Sequence, residues 1–179
     1  YLPYDDKRFK KFRKGIKWLH KEVEKTGAQI IHITPTIYRG KNWEAYANVL
    51  DIYSDWLISH RYTDQWKVIN LHWPMAKHLE DQQQLNPDFV FTRDGVHPNK
   101  SGHFFMAKQI LLGLGESNVV SAENVEDLFR PYNNGLKIFE LVKKQQQIEK
   151  DAARFGVDAH VFVDQMKVRF DQPHGVGVD

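Results

Sequence analysis

The sequence predicts an α/β fold, and three observations carry that expectation. Residues 28–34 form a mostly apolar, β-branched run between an amphipathic helix and Pro35, the pattern of a buried parallel strand. A second apolar run at residues 67–71 follows another helical stretch and precedes Pro74, whose preset φ suits the start of a further helix. Apolar residues at helical spacing occupy most of the chain between and beyond these two runs, so strands alternate with helices.

Taken in order, Asp5 or Asp6 is placed to cap a first helix running to about Lys25, with Phe9, Phe12, Ile16, Leu19 and Val23 as its apolar stripe. Its other face carries Lys7, Arg8, Lys10, Lys11, Arg13, Lys14, Lys17 and Lys21, read as a solvated outer surface because no aromatics are interleaved there. Residues 36–42 form the loop at the carboxyl end of the first strand. Ligands of open parallel sheets bind outside the carboxyl ends of strands, so Tyr38 and Arg39 are candidate substrate contacts. Trp43, Tyr46, Ala47, Leu50, Tyr53 and Leu57 mark the apolar side of the next helix. His72 and Trp73 follow the second strand and join the substrate-side candidates. A helix from Asn99 to Leu114 is expected to bury Phe104, Ala107, Ile110, Leu111 and Leu114. Ser121 is placed to cap a short helix to Phe129, and Asn133 or Asn134 a longer one to about Ala153. Beyond Arg154, weak alternation and Pro173, Gly175 and Gly177 predict no definite element.

Composition bounds the function without choosing it. The chain has 179 residues, 41% hydrophobic and 27% charged, in the range of an ordinary globular domain. A formal net charge of +2 gives no argument for nucleic acid or an anionic membrane surface. Cysteine is absent, which excludes disulfides, thiolate catalysis and Cys-ligated zinc. No apolar run is long enough to span a bilayer as a helix.

The chemistry concentrates in Asp94-Gly95-Val96-His97-Pro98. A tight turn over these residues can bring the Asp94 carboxylate to Nδ1 of His97, fixing the tautomer and leaving Nε2 to take a proton from a nucleophile. The same residues could be a plain turn before a helix, or two ligands of a metal site.

The longer string Asp94-Gly95-Val96-His97-Pro98-Asn99-Lys100-Ser101-Gly102-His103, followed by an amphipathic helix, resembles the last sequence block of the SGNH, or GDSL-type, hydrolases. Ile30-Ile31-His32-Ile33-Thr34-Pro35-Thr36 resembles that family's fourth strand and the turn after it, and Lys67-Val68-Ile69-Asn70-Leu71-His72 its fifth. The resemblance implies the C-terminal portion of a flavodoxin-like three-layer α/β/α fold, with Asp94 and His97 as the Asp and His of a Ser-His-Asp triad. The family's Gly-Asp-Ser and Gly-x-Asn-Asp blocks, which supply the nucleophile and oxyanion donors, do not occur here. Of the serines, Ser54 and Ser59 fall inside a predicted helix, and Ser101, Ser117 and Ser121 follow no strand.

On this reading residues 1–115 are the C-terminal half of an SGNH-like domain, 116–153 a helical extension packing on it, and 154–179 a tail. The expected function is ester hydrolysis by the whole enzyme, with no cofactor and no metal. The partner is a small-molecule, carbohydrate or lipid ester, and nucleic acid is not expected. By itself the chain is expected to be inactive and prone to self-association. Family resemblance would suit a secreted or periplasmic protein. The alternatives are a non-catalytic binding module and, further off, a metal-dependent hydrolase.

Overall fold

The computed structural model describes residues 2–156. The tail from residue 157 on, including Asp158, His160, Asp164 and His174 as conceivable ligands, lies outside the described residues. Chain contacts group the protein into two compact units, residues 1–122 and 123–179.

In the first unit the order is α1 (Asp6–Lys25), β1 (Ile31–Ile33), α2 (Glu44–Thr63), β2 (Lys67–Ile69), α3 (His72–Leu85), α4 (Lys100–Gly113) and a 3-10 helix at Ser117–Ser121. β1 and β2 pair in parallel, His32 opposite Val68. Among the described residues these two three-residue strands are the whole sheet. The expected flavodoxin-like three-layer α/β/α arrangement is therefore not what the chain forms. Helices make up most of it, and two strands this short have too little face to separate two helical layers.

The core explains why. Ile69 of β2, Leu71, Met75 and Leu79 of α3, Ile37 and Phe91 bury together, with Phe105, Met106 and Ile110 of α4 packed against them. Only Ile69 comes from a strand. The expected strand over 28–34 shrinks to Ile31–Ile33, and its exposure is opposite to the expectation: Ile31 and Ile33 are 37% and 43% exposed while His32 is buried. With a period of two, the choice of His32 as the inward residue turns both isoleucines outward.

His32 faces inward because α1 and α2 bring it partners. α1 begins at Asp5, whose carboxylate accepts from the Arg8 amide at 2.7 Å. Phe9 and Phe12 then stack against Tyr53 and Trp56 of α2. Further along, His20, not the expected Leu19, is the buried position of α1, and Leu19 stays 45% exposed. His20 and His32 share a 2.8 Å hydrogen bond, and both rings stack on Trp66, which also stacks on His60.

Thr34 joins β1 to α3. Its amide donates to Ile69 at 3.0 Å, and its hydroxyl accepts from the amides of Leu71 and His72 at 2.8 and 3.0 Å. α3 has no side-chain cap from Leu71, so a threonine 37 residues away in sequence satisfies these helix-start donors. The helix thus begins at His72, before Pro74. α4 starts at Lys100, with Asn99 as N-cap accepting from Gly102 at 2.9 Å, so Pro98 stands just outside the helix. Gly102 is its buried residue, while Ala107 and Leu114, expected in the core, are exposed.

In the second unit, α5 (Val125–Phe129) is capped by Asn124, not Ser121, and α6 (Gly135–Phe155) follows. Phe129 and Phe139 stack at 4.6 Å. A side chain at Gly135 would meet the Phe129 carbonyl, so glycine permits this corner. Among the described residues, no helix is long and apolar enough to cross a membrane.

Candidate active site

The segment from Phe91 to Asn99 is a loop closed at its base. Thr92 and Pro98 form an antiparallel bridge, the Asn99 amide donates to Phe91 at 2.7 Å, and the Asn99 side chain donates to the Val90 carbonyl at 2.7 Å. Gly102, in the first turn of α4, lies so close to Phe91 and Pro98 that a Cβ there would clash with both. The loop is thus held between its own ends.

At its tip Asp94 organises the turn. Oδ1 accepts from the amides of Val96 and His97 at 2.9 and 2.8 Å, and Oδ2 accepts from Nδ1 of His97 at 2.6 Å. One carboxylate therefore sets both the backbone and the ring. The hydrogen bond from His97, then those of the two amides, holds the Asp94 carboxyl well below the usual carboxylate range, so it is ionised across the working pH of proteins. With Nδ1–H committed to Asp94, Nε2 of His97 carries the lone pair. The His97 side chain is 84% exposed, and no described side chain hydrogen-bonds to Nε2.

Gly95 docks this turn onto the loop after β1. Its φ is +84°, and a Cβ would stand 2.2 Å from Cα of Gly40. Arg39 donates its amide to the Gly95 carbonyl at 3.3 Å. The approach of the two loops thus depends on glycine twice, for its backbone conformation and for its missing side chain.

The docking brings Arg39 and Asp94 to the wall of one cavity of about 490 Å³, shared with Trp43, Phe91 and Arg93. The Arg39 guanidinium lies 3.9 Å from the centre of the Trp43 ring. Tyr38 is buried and borders a smaller cavity with Gly95 and Val96, its ring edge-on to Tyr46.

His72 and Trp73 sit apart from the Asp94 turn. They border a neighbouring cavity of about 380 Å³ that shares Ile37, Arg39 and Trp43 with the first. His72 is 2% exposed and its Nε2 lies 2.6 Å from Oδ1 of Asp51, while Trp73 Nε1 donates to Asp55 at 2.7 Å. Nδ1 of His72 is buried without a partner. A bare lone pair there costs less than a bare N–H, so the arrangement favours the proton on Nε2, donating to Asp51. Asp51 and Asp55 were not singled out from sequence. Their spacing of four on α2 was the available signal, since it places both on one helix face.

As expected from their sequence context, none of the chain's five serines hydrogen-bonds to His97. Ser54 is fully buried with its hydroxyl unpartnered, and Ser59 donates to the Trp56 carbonyl. Ser101, Ser117 and Ser121 make no side-chain hydrogen bond to His97. Among the described residues no three His, Asp or Glu side chains gather in a metal-holding arrangement.

The sequence matches no family model and no curated protein. A solved structure similar to part of it is that of a gut microbial diltiazem-metabolizing enzyme, at 19% sequence identity and a TM-score of 0.48. That match covers 59% of this chain and 27% of the other.

Proposed function

We propose that Asp94 and His97 are the orienting acid and general base of an SGNH-type serine ester hydrolase, whose nucleophile and oxyanion donors are not among these residues. The observation that carries the reading is the 2.6 Å contact from Nδ1 of His97 to Asp94, which leaves Nε2 open on an exposed ring. The motif resemblance of residues 94–103 supports it independently. In this reading a serine hydroxyl attacks the ester carbonyl as Nε2 of His97 takes its proton. The same proton then passes to the departing alcohol oxygen, and water repeats the cycle on the acyl-serine. Asp94 keeps the ring in the Nδ1–H tautomer and stabilises the imidazolium.

The test is turnover of 1-naphthyl acetate by the product of the whole gene, with and without His97→Ala. The expected loss in kcat is at least about 10³-fold, within the range for losing a general base. Unchanged turnover overturns the reading.

A second reading draws on the absence of a serine hydroxyl at His97: a binding module that keeps the turn without the chemistry. It expects ligand binding to survive His97→Ala and no turnover from the whole gene product.

A further inference from the structure

We infer that the cleft beside Asp94 binds a carboxylate, so that the ester taken by this site is an acidic one. That the ligand is an ester rests on the hydrolase reading of the same site; that it is a carboxylate rests on the cleft's own charges. Arg39, Lys41 and Arg93 all border the cavity of about 490 Å³, and Asp94 is the acidic residue in its lining. That carboxylate is already taken by the His97 ring and two backbone amides.

Lys41 and Arg93 are held by no carboxylate among the described residues, and Arg39 feels Asp51 and Glu80 only through space. Among the described residues none of the three forms an ion pair. Elsewhere in the chain cations do find partners, as Lys25 does with Glu22 and Lys77 with Asp81. Arg39 spends one N–H on the Tyr38 carbonyl at 3.2 Å and rests its flat face on Trp43. A guanidinium has five N–H donors in a fixed plane, so the remaining edge presents a fork matched to a planar two-oxygen acceptor.

The positions of these charges follow from the fold. Arg39 and Lys41 stand on the loop after β1, and Arg93 stands immediately before the Asp94 turn. The Arg39 amide to Gly95 carbonyl bond draws the two loops together, so the contact that positions the turn also gathers the cations. Like charges converging on a concave wall raise its positive potential and favour an anion there. Phe91, Leu79 and Ile37 add an apolar wall for the body of the ligand, and the volume falls within the usual range for a small-molecule site.

The experiment compares binding of 4-acetoxybenzoate and its neutral analogue 4-acetoxybenzamide to this chain, followed by tryptophan fluorescence and ligand-observed NMR. The expected result is about tenfold tighter binding of the carboxylate at low salt, the scale of one hydrogen bond to a charged group, with the preference shrinking as salt is added. The preference should fall in Lys41→Met and Arg93→Met, checked for folding by circular dichroism. Equal affinities, no binding of either compound, or a preference untouched by both substitutions overturns the inference. Because the readout is binding and not turnover, such a failure leaves the hydrolase reading standing. Conversely, full turnover by His97→Ala would sink that reading and leave the carboxylate preference, measured on the unsubstituted chain, standing.

Discussion

At Asp94 one side chain does two jobs that substitution can separate. Its Oδ1 holds the turn through the amides of Val96 and His97, and its Oδ2 holds the His97 ring. Asp94→Asn keeps an oxygen acceptor for the backbone but removes the charge that stabilises the imidazolium. It also lets an amide N–H face Nδ1, which favours the wrong tautomer. Turnover by the whole gene product is therefore expected to fall by about 10⁴-fold in kcat, with only a modest fall in thermal midpoint from loss of the exposed charge. A large drop in the midpoint with kcat preserved would contradict this division of labour. The sign of the pH effect follows from the same contacts. Because the folded carboxyl titrates below its ordinary range, the stabilisation from Asp94 is present above about pH 3.8 and is lost as the pH falls further. An acid limb of activity above that pH belongs to another group. This pair was legible in the sequence because the contact is local: three residues, a glycine and a carboxylate suffice to bring it about. The Arg39 amide that docks the turn was not legible, since it joins residues 56 positions apart through a hydrogen bond between main-chain groups.

Among the elements, β1 shows where pattern reading fails. Two of its three residues are apolar and β-branched, yet the inward position goes to His32, because His20 of α1 and Trp66 supply a hydrogen bond and ring faces. Hydrophobic pattern alone assigns the isoleucines inward, and tertiary partners decide otherwise. Burial, then the neighbouring His20 and His60, lowers the His32 pKa below its ordinary value of 6.5. The unfolded chain binds that proton more readily, so the stabilisation is complete above about pH 6.5 and declines as the pH falls toward the folded value. Glu24 near His20, at 3.3 Å, and Asp64 at His60 face the cluster from their own helices and oppose that trend. His32→Phe is expected to flatten the midpoint-against-pH curve below pH 6.5, read by differential scanning calorimetry; an unaltered slope would show that another group carries it. Thr34 makes the complementary point about helix starts. Leu71 offers α3 no side-chain cap, and the Thr34 hydroxyl serves two of its first amides. Thr34→Val keeps the shape and strands two buried donors, so urea denaturation should show a loss of about 1–3 kcal/mol. A change below a few tenths would mean that those amides find other acceptors.

For the molecule as a whole, the decisive feature is how little of the first unit's core is sheet. Helix positions, both strand cores and the Asp94 turn could be read from periodicity and turn chemistry, while the layer arrangement could not, because it depends on how many strands pair and not on where each one lies. Pairing on one side only leaves consequences at the surface. Among the described residues β1 has β2 as its single neighbour, and Ile31 and Ile33 stand exposed beside its open edge. Unpaired strand amides and carbonyls next to exposed isoleucines form a template for another chain, and neither a proline nor an outward charge on β1 interrupts it. The isolated chain is accordingly expected to self-associate with rising concentration. Sedimentation velocity should show a mass that grows with loading. Ile33→Lys should reduce that growth without unfolding the protein, since the side chain it replaces is 43% exposed. Salt should strengthen the association of the parent chain if apolar contact dominates, because it screens the like charges of the lysine-rich α1 surface. A single monomeric boundary at every concentration would mean that the short strand, three residues long, offers too few hydrogen bonds to offset the entropy of association.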